Sequence, residues 1–136
     1  MDAVIVQVLP ALQPVFAYAA ILGLVFIGLS AMTIRERRIA SVSLGDGDNE
    51  MLRRRIRAHA NFAEYVPIGL FLLTGAALAE MPIWLIHVCG IALIAGRLLH
   101  ARAIYTGDGR LRIAGMGATL TVIGLASLTI LARVVI

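Results

Sequence analysis

Four apolar runs of about the length that a bilayer's hydrocarbon core asks of a helix, ~20 residues each, leave this chain few ways to fold. They cover residues 14–34, 52–79, 82–104 and 113–132. Each run is predominantly apolar, which reads as a membrane-spanning helix. Composition agrees. The chain is 60% hydrophobic and 15% charged, with a mean hydropathy of +0.92, whereas a soluble domain is near half apolar and about a quarter charged. The expected fold class is an all-α membrane protein, a bundle of four transmembrane helices forming a single domain over 1–136. The first run is too long for a removed signal peptide, and it lacks the basic lead and small-residue cleavage site of one.

The polar punctuation sets the ends of these helices. Arg35, Glu36, Arg37 and Arg38 close the first. SLGDGDNE follows, a Gly/Asp cluster typical of an exposed turn. Its acids Asp46, Asp48 and Glu50 lack the flanking helices and full ligand set of a calcium loop. Glu80-Met81-Pro82 is short enough to demand a hairpin between antiparallel neighbours, with Trp84 just beyond it as an interfacial anchor. A second turn, Thr106–Gly109, precedes the fourth helix.

The charge of +4 comes from arginine alone, since the chain has no lysine. Arginines 35 to 57 and 97 to 112 gather at one end of the predicted bundle, leaving Arg133 at the other. The positive-inside rule then places both arginine-rich loops in the cytoplasm and both termini outside. A basic integral membrane protein meets lipid headgroups rather than nucleic acid, and Arg53, Arg54 and Arg55 are read as headgroup anchors. The one cysteine, Cys89, has no partner for an internal disulfide. Small residues on the fourth helix (Gly117, Thr121, Gly124) and on the first (Gly23, Gly28) offer faces for close helix packing.

Polar residues inside the second run need a reason. Arg57, Asn61 and Glu64 fall at i, i+4 and i+7, one narrow sector of a helix turning about 100° per residue. A charged group at membrane depth costs ~2.5–3.5 kcal/mol on insertion scales, so it normally faces a partner or a cavity. Tyr65 sits beside this stripe. Arg97, His100 and Tyr105 occupy the matching end of the antiparallel third helix. A structural pairing of Glu64 with Arg97 or His100 would account for one buried charge. It would not account for so many donors at one depth, which suit an anionic ligand, because arginine binds carboxylate bidentately. Arg110 and Arg112 open a helix, where the dipole disfavours a cation, and this points to a task for one of them. His59 lies on the opposite side of its helix and is read as a structural contact. His59, His87 and His100 are scattered, so no metal site is expected. The polar groups occupy one leaflet, which argues against a channel.

The stretch RAHANFAEYVP (residues 57–67), four spans, and Gly96, Arg97 and His100 on the third helix resemble the MAPEG family, the membrane-associated proteins of eicosanoid and glutathione metabolism, and within it a bacterial branch. The resemblance implies a homotrimer in the bacterial inner membrane, with glutathione as co-substrate held between subunits near the cytoplasmic side. By position it implies glutathione contacts at Arg57, Asn61, Glu64, Tyr65, Arg97, His100 and Tyr105. Tyr105 and Arg112 keep the seven-residue Tyr…Arg spacing of catalytic members, which implies that Arg112 stabilises the glutathione thiolate. Arg110 stands as the competing position. A cation beside the sulfur favours the thiolate, which would attack a lipophilic electrophile or a lipid hydroperoxide arriving from the bilayer. Tyr105 follows Arg97 by eight residues where the family has seven, and Met116 and Gly117 stand where several catalytic members carry a further tyrosine. The family also includes a non-catalytic lipid-binding scaffold, so a ligand-binding protein without turnover is the alternative.

Overall fold

The computed structural model describes residues 2–135, with side chains from Leu9 onward. It consists of α1 (Asp2–Ala40), α2 (Glu50–Leu78), α3 (Ile83–Thr106) and α4 (Gly109–Val135), with no strand among the described residues. All four helices are long and apolar enough to cross a membrane. The chain is an all-α membrane protein.

The ends of α1 and α4 differ from the sequence expectation. The expected first span, 14–34, is only the middle of α1, which continues to Ala40. Arg35 to Arg38 end the apolar stretch but not the helix, because arginine and glutamate are good helix formers. The backbone turns away at Ser41, in the left-handed region at φ 55. Pro10 and Pro14 therefore lie inside α1 rather than at its start. Free first-turn donors cannot explain them; membrane helices tolerate such prolines where local adjustment and neighbours satisfy the freed carbonyl. α4 begins at Gly109 rather than at residue 113. Gly107, left-handed at φ 76, closes α3. Asp108 then caps α4, its Oδ1 accepting from the Arg110 and Leu111 amides at 2.9 and 3.1 Å. That carboxylate beside the free N–H groups offsets the cost of starting a helix with arginines.

α2 and α3 form a middle layer joined by the hairpin at Glu80 and Met81. α1 packs against both from one side and α4 against both from the other, and among the described residues the backbones of α1 and α4 do not come together. One buried cluster, including Val15, Leu73, Ile86, Cys89 and Val122, lies toward the hairpin end. A second, including Leu22, Phe62, Val66 and Leu93, lies toward the arginine-rich end. Apolar side chains such as Leu24, Phe71, Trp84 and Leu128 point outward. Lipid accommodates them at no cost, so interior contacts must hold the helices by close packing rather than by hydrophobic burial.

The tightest backbone-to-backbone contact at a described glycine joins α3 and α4. A Cβ on Gly115 would stand 2.6 Å from the Gly96 carbonyl oxygen and 2.8 Å from the His100 nitrogen. Gly96 and Gly115 thus let two backbones touch. The glycines singled out from sequence behave otherwise: Gly23, Gly28, Gly117 and Gly124 have nothing within 4 Å and face out of the chain.

Candidate functional site

At the arginine-rich end, α2, α3 and the start of α4 enclose a cavity of ≈ 620 Å³, within the size range of small-molecule sites. α2 contributes Glu50, Arg53, Arg54, Arg57 and Asn61, and α3 contributes His100, Ala103 and Ile104. The reversal at Gly107, Asp108 and Gly109 closes one wall, and Arg112 completes it. Four guanidinium groups face two carboxylates across this space, a net of two positive charges.

Each contributor has a local reason for its place. Asn49 caps α2, its Oδ1 accepting from the Leu52 amide at 2.9 Å. That fixes the helix phase from which Arg53, Arg54, Arg57 and Asn61 project. Arg54 donates from Nη1 to the Tyr105 carbonyl at 2.8 Å and pairs with Glu50, tying α2 to the end of α3. Arg53 lies 3.6 Å from Asp46 of the preceding loop. Arg57 and Arg112 have no carboxylate or hydrogen-bond partner for their side chains among the described residues.

Beneath the cavity lies Arg97, at 1% relative exposure. Its Nη2 donates to Asn61 Oδ1 and to His100 Nδ1, the latter at 3.2 Å. Its Nη1 donates to Thr119 Oγ1 at 3.3 Å, and that hydroxyl passes its own proton to the Gly115 carbonyl at 3.0 Å. The Tyr65 ring lies 5.8 Å from the guanidinium carbon. Every partner is neutral. A buried cation without a counter-charge is costly, and here it adds positive potential under a cavity that is already positive.

The side chains proposed from sequence divide into groups. Arg57, Asn61, His100 and Arg112 line the cavity together. Arg97 does not reach it but holds Asn61 and His100. Tyr65 packs beside Arg97. Glu64 is exposed on the outer face and pairs with neither Arg97 nor His100. The polar stripe straddles the edge of the chain: from Arg57, Asn61 turns about 40° inward and Glu64 about 20° outward, at about 100° per residue. Tyr105 stands away from the cavity, its ring stacked under Arg55 at 4.2 Å and packed against the Leu22–Phe62 cluster. Five residues separate it from His100, which is about 140° around a helix. Arg110 does not line the cavity.

Five polar contributors were not expected. Glu50 and Asp108, read as turn residues, and Arg53 and Arg54, read as headgroup anchors, line the cavity, and Thr119 supports Arg97. The arginine run was visible in the sequence, but only the position of α4 shows which of its members have a wall opposite them. The other histidines are structural contacts: His59 bonds Ser30 Oγ at 3.0 Å and stacks on Phe26, and His87 Nδ1 lies 2.8 Å from the Tyr18 hydroxyl.

Comparison with known proteins gives this arrangement a lineage. Residues 15–133 match the model of the MAPEG family. The chain is also similar to inner membrane protein YecN of Escherichia coli strain K12, with 36% identity over 102 residues, covering 75% of this chain and 78% of the relative. The YecN protein of Escherichia coli O6:H1 matches to the same extent. With nearly its whole helical body matched, the chain belongs to the MAPEG family.

Proposed function

We propose that this protein binds glutathione and uses it against lipophilic electrophiles, as a membrane-bound transferase or peroxidase. The observation that carries the reading is the cavity: four arginines line it and a fifth, Arg97, lies buried behind it with no carboxylate partner. Such a site suits a small ligand rich in carboxylates, with Glu50 and Asp108 on the rim for its ammonium. Arg112 is the thiolate-stabilising group in this reading, and its place on the cavity wall favours it over Arg110. The thiolate forms a sulfur–carbon bond with the electrophile while the leaving group departs with its electron pair. With a hydroperoxide, two glutathione molecules are oxidised to one disulfide, and their two electrons and two protons reduce the O–O bond to alcohol and water.

The resemblance to inner membrane protein YecN supports a place in the inner membrane. The positive-inside rule supports a cytoplasmic opening for the cavity. A homotrimer fits the outward-facing Glu64, which a neighbouring subunit would turn toward ligand. A second reading, a ligand-binding scaffold without turnover, draws on one observation: no tyrosine lines the cavity among the described residues. One titration separates the two. Glutathione added to purified protein at neutral pH yields the ultraviolet absorbance of a bound thiolate in the enzyme, and Arg112→Ala abolishes it while Arg110→Ala does not. Binding without thiolate supports the scaffold; absence of glutathione binding removes the enzyme and leaves a scaffold for another ligand.

A further inference from the structure

The bonds made by Arg97 determine which protons the cavity floor presents. A guanidinium has five N–H donors and no acceptor. The Asn61 atom it meets must therefore be Oδ1, and the ring nitrogen of His100 it meets must be unprotonated. Both residues line the cavity, and neither Asn61 Nδ2 nor His100 Nε2 has a hydrogen-bond partner among the described residues. Thr119 strengthens the constraint. Its hydroxyl proton is committed to Gly115, so it too can only accept from Arg97. The guanidinium thus cannot rotate to release His100 without giving up acceptors on three helices.

We propose that Arg97 is a positioning residue that makes the cavity floor a pure donor surface. It holds His100 neutral in the Nε2–H form and turns the Asn61 amide N–H groups toward the ligand. The floor accordingly takes an anionic oxygen or sulfur, while the exposed arginines above it take the remaining charge. His100 cannot remove a proton from a bound thiol, since its one free nitrogen already carries a proton; the thiol proton leaves to water instead. The nature of the ligand rests on the anion-binding reading above, whereas the tautomer of His100 rests on the geometry alone.

The test is nuclear magnetic resonance of histidine labelled with 13C and 15N in the full-length protein in detergent micelles, with the His100 signals assigned by their loss in His100→Gln. The two neutral tautomers and the imidazolium have distinct ring-nitrogen shifts. Wild type at neutral pH shows His100 as Nε2–H. Arg97→Lys, which keeps a cationic donor, preserves that form, and Arg97→Gln, whose amide can donate or accept, admits the other. A wild-type His100 in the Nδ1–H or imidazolium form overturns the proposal, as does an unchanged tautomer in Arg97→Gln. If Arg97→Gln does not fold, the wild-type and Arg97→Lys spectra decide. Asn61→Asp, which replaces a donor by an anion, weakens glutathione binding by about tenfold or more, the scale of one charge-assisted hydrogen bond. If wild type binds no glutathione, the preceding reading fails while the tautomer still decides this one.

Discussion

Adding one methyl group at Gly115 should pry apart the contact on which the site rests. The new Cβ would meet the Gly96 oxygen at 2.6 Å, the His100 nitrogen at 2.8 Å and the His100 Cβ at 3.0 Å. Two of these are backbone atoms and cannot rotate away. To restore even the 3.4 Å at which ordinary contact begins, α3 and α4 must separate locally by about 0.8 Å. Overpacking of this kind costs about 1–3 kcal/mol, and the better helix propensity of alanine returns at most about 1 kcal/mol. The loss should exceed the gain, by about 1 kcal/mol. The site suffers in parallel. The Arg97–Thr119 bond, now 3.3 Å, would stretch to roughly 4.1 Å, past hydrogen-bonding range, and glutathione affinity would fall. The comparison is Gly117→Ala, two residues away on the same helix, where a Cβ meets nothing within 4 Å. Unfolding both variants in mixed micelles of mild detergent and sodium dodecyl sulfate, followed by circular dichroism, gives the two stabilities. A Gly115→Ala protein as stable as Gly117→Ala would refute the reasoning, because it would mean that the helices do not meet at this glycine.

Other perturbations act on separate parts of the molecule. Leu93→Ala empties a fully buried position against Gly69 and should cost about 2–5 kcal/mol in the same micelle titration. Arg133→Ala removes an exposed pair with Glu80 at the far end of the bundle, so stability should change by no more than about 1 kcal/mol and ligand affinity not at all. Raising ionic strength from 0.01 M to 1 M shortens the Debye length from about 30 Å to about 3 Å; glutathione affinity, measured by calorimetry, should fall steadily across that series if the arginine-lined cavity is the site.

How far the sequence could be read depended on the kind of force involved. Bilayer thickness fixes the length of a span, so four helices were legible from apolar runs alone. The end of α1 was not, because Arg35 to Arg38 suit a helix as well as they suit water. Helical periodicity put Arg57, Asn61 and Glu64 in one sector. It could not reveal that the edge of the chain passes through that sector, with Asn61 inside and Glu64 outside. The same limit hid Arg53 and Arg54, whose opposing wall comes from α3 and the start of α4, far along the chain. Thr119 and Gly115 carried no signal, as a threonine and a glycine in an apolar helix look alike whether they face lipid or support a buried guanidinium. Tyr105 failed to join the others for a geometric reason: an offset of five residues on a helix is a change of side.

The layering has a practical consequence. Among the described residues, the backbone of α1 packs against α2 and α3 but not α4, and α1 contributes no residue to the cavity. Every lining residue lies between Glu50 and Arg112. A chain opened in the loop at Ser43 and Leu44 would keep the whole constellation on its larger fragment, with α1 as a detachable partner. Reporter groups, affinity handles and fused domains therefore belong on α1, where they disturb the ligand chamber least.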